Sequence, residues 1–133
     1  MADWAELAAT TLPPSTPAAV EAAYAGWTGK TDASKAAALA SIVAETLTAF
    51  RSAVAVNPAN ALDSNPNTVP TAGLHHAQNM VALKLALAMG VATDPVTIML
   101  YERAEIWLGW VQRGLIKFPR EPGSPKFSPG RMP

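Results

Sequence analysis

Residues 32 to 56 read DASKAAALASIVAETLTAFRSAVAV. Their larger apolar residues, Leu39, Ile42, Val43, Leu47, Phe50 and Val54, follow one another at spacings of three, four and seven. That spacing lays them along one stripe of a helix, the pattern of an element that buries one face. Thr31-Asp32 supplies a starting cap and Asn57-Pro58 a stop. The stretch therefore predicts a helix from Asp32 to Val56, long enough to serve as the spine of a helical bundle.

Working outward, Asn57 to Pro70 holds three prolines and four asparagines and reads as a loop. Pro70-Thr71 opens a second long helix through Met89, apolar nearly all round, with Gly90 placed to end it. Such a helix belongs in a bundle centre or a subunit interface. Asp94-Pro95, a cap followed by a proline in the first turn, starts the last helix, which runs to Arg113 and stops at Gly114. Met99, Leu100, Ile106, Trp107, Trp110 and Val111 give it wide apolar coverage; Glu102, Glu105, Gln112 and Arg113 mark its polar side. Upstream, Ala2 to Thr10 reads as a first helix ended by Leu12-Pro13-Pro14, and Thr16-Pro17 as the cap of a short one through Ala25. Alternating β-branched stretches are missing, so no sheet is expected. The fold class is all-α, a bundle of four to five helices over residues 1–114.

From Leu115 the character changes. Prolines 119, 122, 125, 129 and 133 recur every three or four residues, which rules out helix and biases the chain toward an extended arm. Residues 115–133 would reach on the order of 60 Å if fully extended. The arm carries Lys117, Arg120, Lys126 and Arg131 against one acid, Glu121. Its charge of +3 leaves −3 on the rest of a chain that is neutral overall. A basic arm with Phe118, Phe127 and Met132 as apolar anchor points suits docking on a neighbour.

The 133 residues suffice for one domain with its own core, and alanine supplies much of the 50% apolar content. No cysteine is present, which excludes disulfides and thiolate chemistry. The opening residues do not read as a secretory signal, and the apolar run from Met80 to Val91 is broken by Lys84 and too short for a bilayer. No membrane association is expected.

The chemical motifs are weak. Gly26-Trp27-Thr28-Gly29-Lys30-Thr31 resembles the end of a phosphate-binding loop, but Tyr24 stands where the pattern needs its first glycine, and a helix precedes it where a strand should. A helix stop followed by the next cap accounts for every residue. His75 and His76 point about 100° apart on a helix and have no third ligand nearby in sequence. Glu102 and Glu105 share a polar face with Arg103 between them, as a solvated face would. No nucleophile elbow occurs. The basic arm is too sparse for sequence-specific DNA binding. The reading is of a non-enzyme with no cofactor and no metal.

The stretch from Tyr101 to Pro119, YERAEIWLGWVQRGLIKFP, resembles the last helix of small head–tail connector (adaptor) proteins of tailed bacteriophages, which pair an aromatic with leucine and end on glycine before a lysine–hydrophobic–proline stretch. A long amphipathic helix, a proline-containing loop and a helix opening after Val69-Pro70 keep the same order, so the resemblance spans about Ala33 to Pro119. It implies a virion protein, assembled in the host cytoplasm, that forms a homo-oligomeric ring, commonly a dodecamer, below the portal. Such a ring links capsid to tail, touches adjacent tail or connector proteins and passes DNA through its lumen without reading it. It implies portal-binding roles for Lys117, Phe118, Arg120, Lys126, Phe127 and Arg131, and a subunit interface at Trp107 and Trp110. The competing expectation is a small intracellular helical module that grips a protein partner.

Overall fold

The computed structural model describes residues 4–14, 16–91 and 94–118. The protein is an all-α bundle carrying a minimal two-stranded ribbon. Its elements are β1 (Trp4–Glu6), α1 (Ala18–Ala25), α2 (Asp32–Ala55), β2 (Thr68–Pro70), α3 (Leu74–Met89) and α4 (Pro95–Gln112), with one 3₁₀ turn, Thr71–Gly73, leading into α3. Prolines 119 to 133, Arg120, Lys126, Phe127 and Arg131, and with them most of the expected arm, lie outside the described residues.

The helix ends follow local chemistry. The Thr31 hydroxyl accepts the Ser34 amide (3.1 Å) and the Ser34 hydroxyl accepts the Thr31 amide (2.9 Å), a reciprocal cap that starts α2. At α4 the Asp94 carboxylate accepts the Thr97 amide (2.7 Å) and Pro95 follows in the first turn. Both long C-terminal helices close on a left-handed glycine. At Gly114 (φ 78°) the Leu115 amide reaches back to the Trp110 carbonyl and the Gly114 amide to that of Val111. Gly90 (φ 72°) does the same for α3. An L side chain at either position would meet its own carbonyl, so glycine is the residue that lets the chain turn there.

Two expectations at the N-terminal end are corrected. Trp4–Glu6 is a strand, antiparallel to Thr68–Pro70 in the register Ala5 opposite Val69. The helix expected over Ala2–Thr10 and the absence of any sheet are thereby overturned. Helix propensity is worth less than about 1 kcal/mol per residue, and an isolated helix this short is marginal. Pairing with β2 wins because it lets Leu7 and Val69 enter the core, 3% and 0% exposed. The second correction is at α1. The Thr16 hydroxyl donates to the Pro13 carbonyl and does not cap; Pro17 stands at the cap position, and its carbonyl accepts from Val20 and Glu21.

The loop between α2 and β2 is built from three consecutive side-chain turns. The Asn57, Asp63 and Asn65 side chains accept the amides of Ala59, Asn65 and Asn67. Arg51, near the end of α2, then ties the loop down. Its guanidinium donates to the carbonyls of Asp63, Asn65 and Thr68 and to the Thr68 hydroxyl. A loop of this length without its own elements would otherwise be costly to order.

The core runs along α2 (Leu39, Val43, Leu47, Phe50, Val54) and meets α3 (Ala77, Met80, Val81, Leu85) and α4 (Ala104, Trp107, Val111). Helix α2 is the one described helix long and apolar enough to cross a membrane, with a mean hydropathy of 1.3. Its large apolar side chains are spent on this core. From Ala36 to Ala55 every exposed residue is alanine, serine or threonine except Glu45.

Trp107 sets how closely α3 and α4 approach. A Cβ on Gly73 would lie 2.5 Å from the Trp107 ring, inside any tolerated contact, so the indole rests on bare backbone. Gly73→Ala should therefore destabilise the fold by about 1–3 kcal/mol through overpacking, measured by urea unfolding. Gly29→Ala, strained in φ (79°) but open to solvent, should lose only about 1 kcal/mol. Equal losses for the two would refute the steric reading.

Candidate functional site

Two features stand out on the folded chain: an apolar stripe along the outside of α4, and an aromatic stack that fastens the residues after α4 to the body.

Helix α4 turns Thr97, Ala104, Trp107 and Val111 inward. At 100° per residue, Met99, Arg103, Ile106 and Trp110 then fall along the outward side. Of these Met99 is 40% exposed, Ile106 53% and Trp110 43%, with Val96 and Ile98 also exposed at the start of the helix. Leu115, 70% exposed, continues the line beyond the last turn. Glu102, Glu105, Arg103 and Arg113 are all exposed around it. The helix is thus apolar on two sides, only one of which its own chain covers.

This geometry separates the two tryptophans expected at a subunit interface. Trp110 is on the outer stripe. Trp107 is 8% exposed and belongs to the chain's own core, so its assignment to an interface is corrected. Both are large aromatic residues on a helix of wide apolar coverage; what distinguishes them is which side α3 covers, and spacing alone does not say.

The Trp107 indole stacks on Phe50 (ring centroids 5.8 Å), meets His76 (5.4 Å) and meets Phe118 (6.1 Å). Phe118 also packs edge-on against Trp4 (6.5 Å), over which the Arg51 guanidinium sits at 5.2 Å. Two backbone bonds complete the attachment. The Phe118 amide donates to the Asn60 side-chain oxygen (2.8 Å), and the Ala61 amide donates to the Phe118 carbonyl (2.9 Å). Asn60 in turn donates to the Val54 carbonyl at the end of α2. Phe118, expected to be an anchor for a partner, is half-buried and occupied by the body itself. Residues 115–118, expected at the start of the arm, therefore belong to the body. Lys117, beside it, is exposed. The sequence signal was the apolar residue itself; that its pocket lies on the same chain depends on Trp4 and Asn60, which no local pattern connects to it.

The remaining candidates fall where simple chemistry puts them. Gly26 and Gly29 sit in the turn between α1 and α2, Lys30 lies over the Trp27 ring (4.9 Å), and Thr31 caps α2. The Lys35 ammonium bonds the Ala25 carbonyl (3.0 Å). His75 and His76 stack on each other at 4.0 Å, and no group of three or more His, Asp or Glu side chains able to hold a metal occurs among the described residues. Burial, helped by the adjacent His75, pushes the His76 imidazole down to about 4. Hydrogen bonds from Thr97 hold the exposed Asp94 carboxyl below the usual carboxylate range. A cavity lined by Pro17, Asn79, Ala82, Thr97 and Leu100 has a volume of about 20 Å³, room for a water molecule.

Removing the Phe118 ring in the full chain, Phe118→Ala, should cost about 2 kcal/mol of stability, less than a fully buried phenylalanine. Lys117→Ala should stay within about 0.5 kcal/mol. Chemical denaturation of the two variants checks the assignment; a silent Phe118→Ala would show that this ring is not fastened to the body. No protein-family model, curated protein or solved structure matches the chain.

Proposed function

We propose that this chain is a structural subunit of a homo-oligomeric ring, a head–tail adaptor of a tailed bacteriophage. In this reading a neighbouring copy covers the outer stripe of α4, and the basic segment after Phe118 docks on the portal. The observation that carries the proposal is the concentration of exposed apolar bulk on one helix and its exit: Val96, Ile98, Met99, Ile106, Trp110 and Leu115. Scattered apolar residues on a surface need no explanation, but five exposed on one helix and a sixth at its exit, with Arg103 set among them, make a candidate interaction face. The resemblance of Tyr101–Pro119 to the last helix of connector proteins supplies the identity of the assembly. The role is non-catalytic, uses no cofactor, and places the protein in the virion.

A ring requires two different surfaces on each subunit, because a surface that pairs with itself closes a dimer. The α4 stripe offers large side chains. The outer face of α2 offers mostly small side chains, alanines, serines and threonines. The ring reading takes the α4 side chains of one copy to seat on α2 of the next.

Sedimentation velocity on the native chain, alone and with portal rings, provides the test. The native chain should form species larger than a dimer or co-sediment with the portal. Ile106→Asp with Trp110→Ser should abolish self-association, as should Ala44→Arg on α2. Mixing the two variants should restore association only as far as a pair, since each retains one good surface. A native chain that remains monomeric and binds no portal would sink the adaptor reading and favour a helical binding module. If the Ala44→Arg variant assembles normally, the contact is not between α4 and α2.

A further inference from the structure

His76 is the least satisfied polar group of the described interior. Its Nδ1 is buried without a hydrogen-bond partner, and its ring centroid lies 4.0 Å from that of His75 and 5.4 Å from that of Trp107. A neutral imidazole tolerates this position, since an unprotonated ring nitrogen loses only an acceptor site. An imidazolium would not, because a proton added at Nδ1 would find no acceptor. The groups around it offer no compensation. Helix α3 contributes His75, whose own positive charge would oppose one on His76. Helix α4 contributes the uncharged Trp107, with Glu102, Arg103 and Glu105 exposed on its outer side. Helix α2 contributes Phe50 on Trp107, while Arg51 is committed to the loop carbonyls and Trp4. The segment after α4 contributes Phe118, and Lys117 is exposed.

The elements around this stack are not held equally. Helices α3 and α4 are fixed by the whole core. The Phe118 segment is held by one half-buried ring and the two backbone bonds to Asn60 and Ala61. Opening that wets the stack at least cost therefore lifts Phe118 and lets Trp107 relax from His76. We propose that His76 is an acid-sensitive latch: its protonation loosens the His76–Trp107–Phe118 stack and releases residues 115–118 from the helical body. The proposal goes beyond the adaptor reading and stands whether or not the chain forms a ring.

The sign follows from linkage. Closed, His76 holds its proton only below about 4; open, it returns to the ordinary 6.5. The open state binds more protons between these values, so the closed latch is at full strength above pH 6.5 and weakens as pH falls toward 4. Opening should grow about twenty-fold between pH 7 and pH 5.

Amide hydrogen exchange on the full chain reads this directly. After correction for intrinsic rates, the Phe118 and Ala61 amides should exchange about twenty-fold faster at pH 5 than at pH 7. They should exchange far faster than the Phe50 amide at both values, and the Tyr24 and Ala25 amides of α1 should stay constant. In His76→Phe, which keeps a ring on Trp107 but cannot titrate, the Phe118 amide should lose its pH dependence. His76→Gln serves the same purpose if the phenylalanine does not fit. The latch is refuted by a Phe118 amide that is insensitive to pH in the native chain. It is equally refuted if the acceleration persists in the two His76 variants, or if Phe118 exchanges as slowly as Phe50, which would mean that only global unfolding exposes it.

Discussion

The approach of the Trp107 indole to the bare backbone of Gly73 is the contact on which the rest of the arrangement turns. It sets the distance between α4 and the 3₁₀ turn that begins α3. It also leaves the indole's other contacts to be made by Phe50 from α2, His76 from α3 and Phe118 from beyond α4. Three separated parts of the sequence thus meet on one side chain. Burying a ring of this size is worth a few kcal/mol in transfer free energy alone, a large share of the net stability of a small domain. A core rich in alanine and poor in aromatics concentrates that contribution: once small residues bring helices together, the few large rings decide which helices meet, and where.

A second constraint comes from Arg51. A guanidinium beside a core helix would be expensive if left unpaired. Here its donors face three loop carbonyls and a threonine hydroxyl, and its flat face covers Trp4. The same residue therefore orders the long loop, steadies β2 through Thr68 and holds β1 through Trp4. That explains how a three-residue strand at the start of the chain persists without a wider sheet. It also connects the loop to the Phe118 attachment, because Asn60 and Ala61, which bond Phe118, belong to that loop.

The long helices were legible because their signals are local. Caps at Thr31 and Asp94, left-handed glycines at 90 and 114, and the stripe of Leu39, Val43, Leu47, Phe50 and Val54 each depend on residues within a turn or two. The strand at Trp4–Glu6 was not legible, since three residues carry no periodicity and their partner lies more than sixty positions away. The loop could be seen as a loop, but not that an arginine of the preceding helix would organise it. For the candidate surfaces the division is similar. The wide apolar coverage of α4 could be read from its sequence. Which side faces the chain's own core, and hence that Trp110 is available where Trp107 is not, required α3 to be in place. Phe118 was recognised as an apolar anchor, yet its seat proved to be Trp107 and Trp4, both remote in sequence.

The two features of the site lie at one end of the same helix. The outer stripe continues past the last turn through Trp110 to Leu115, and three residues later Phe118 is fastened to the other side of Trp107's helix. Because α4 ends in a glycine turn, Leu115 is thrown outward while Phe118 returns to the core. The exposed stripe and the Phe118 attachment therefore lie within a few residues of each other. The stripe keeps apolar surface in water at roughly 25 cal/mol per Å². The last turn of α4 thus decides two things at once: which apolar side chains face solvent, and where the chain after the helix meets the core.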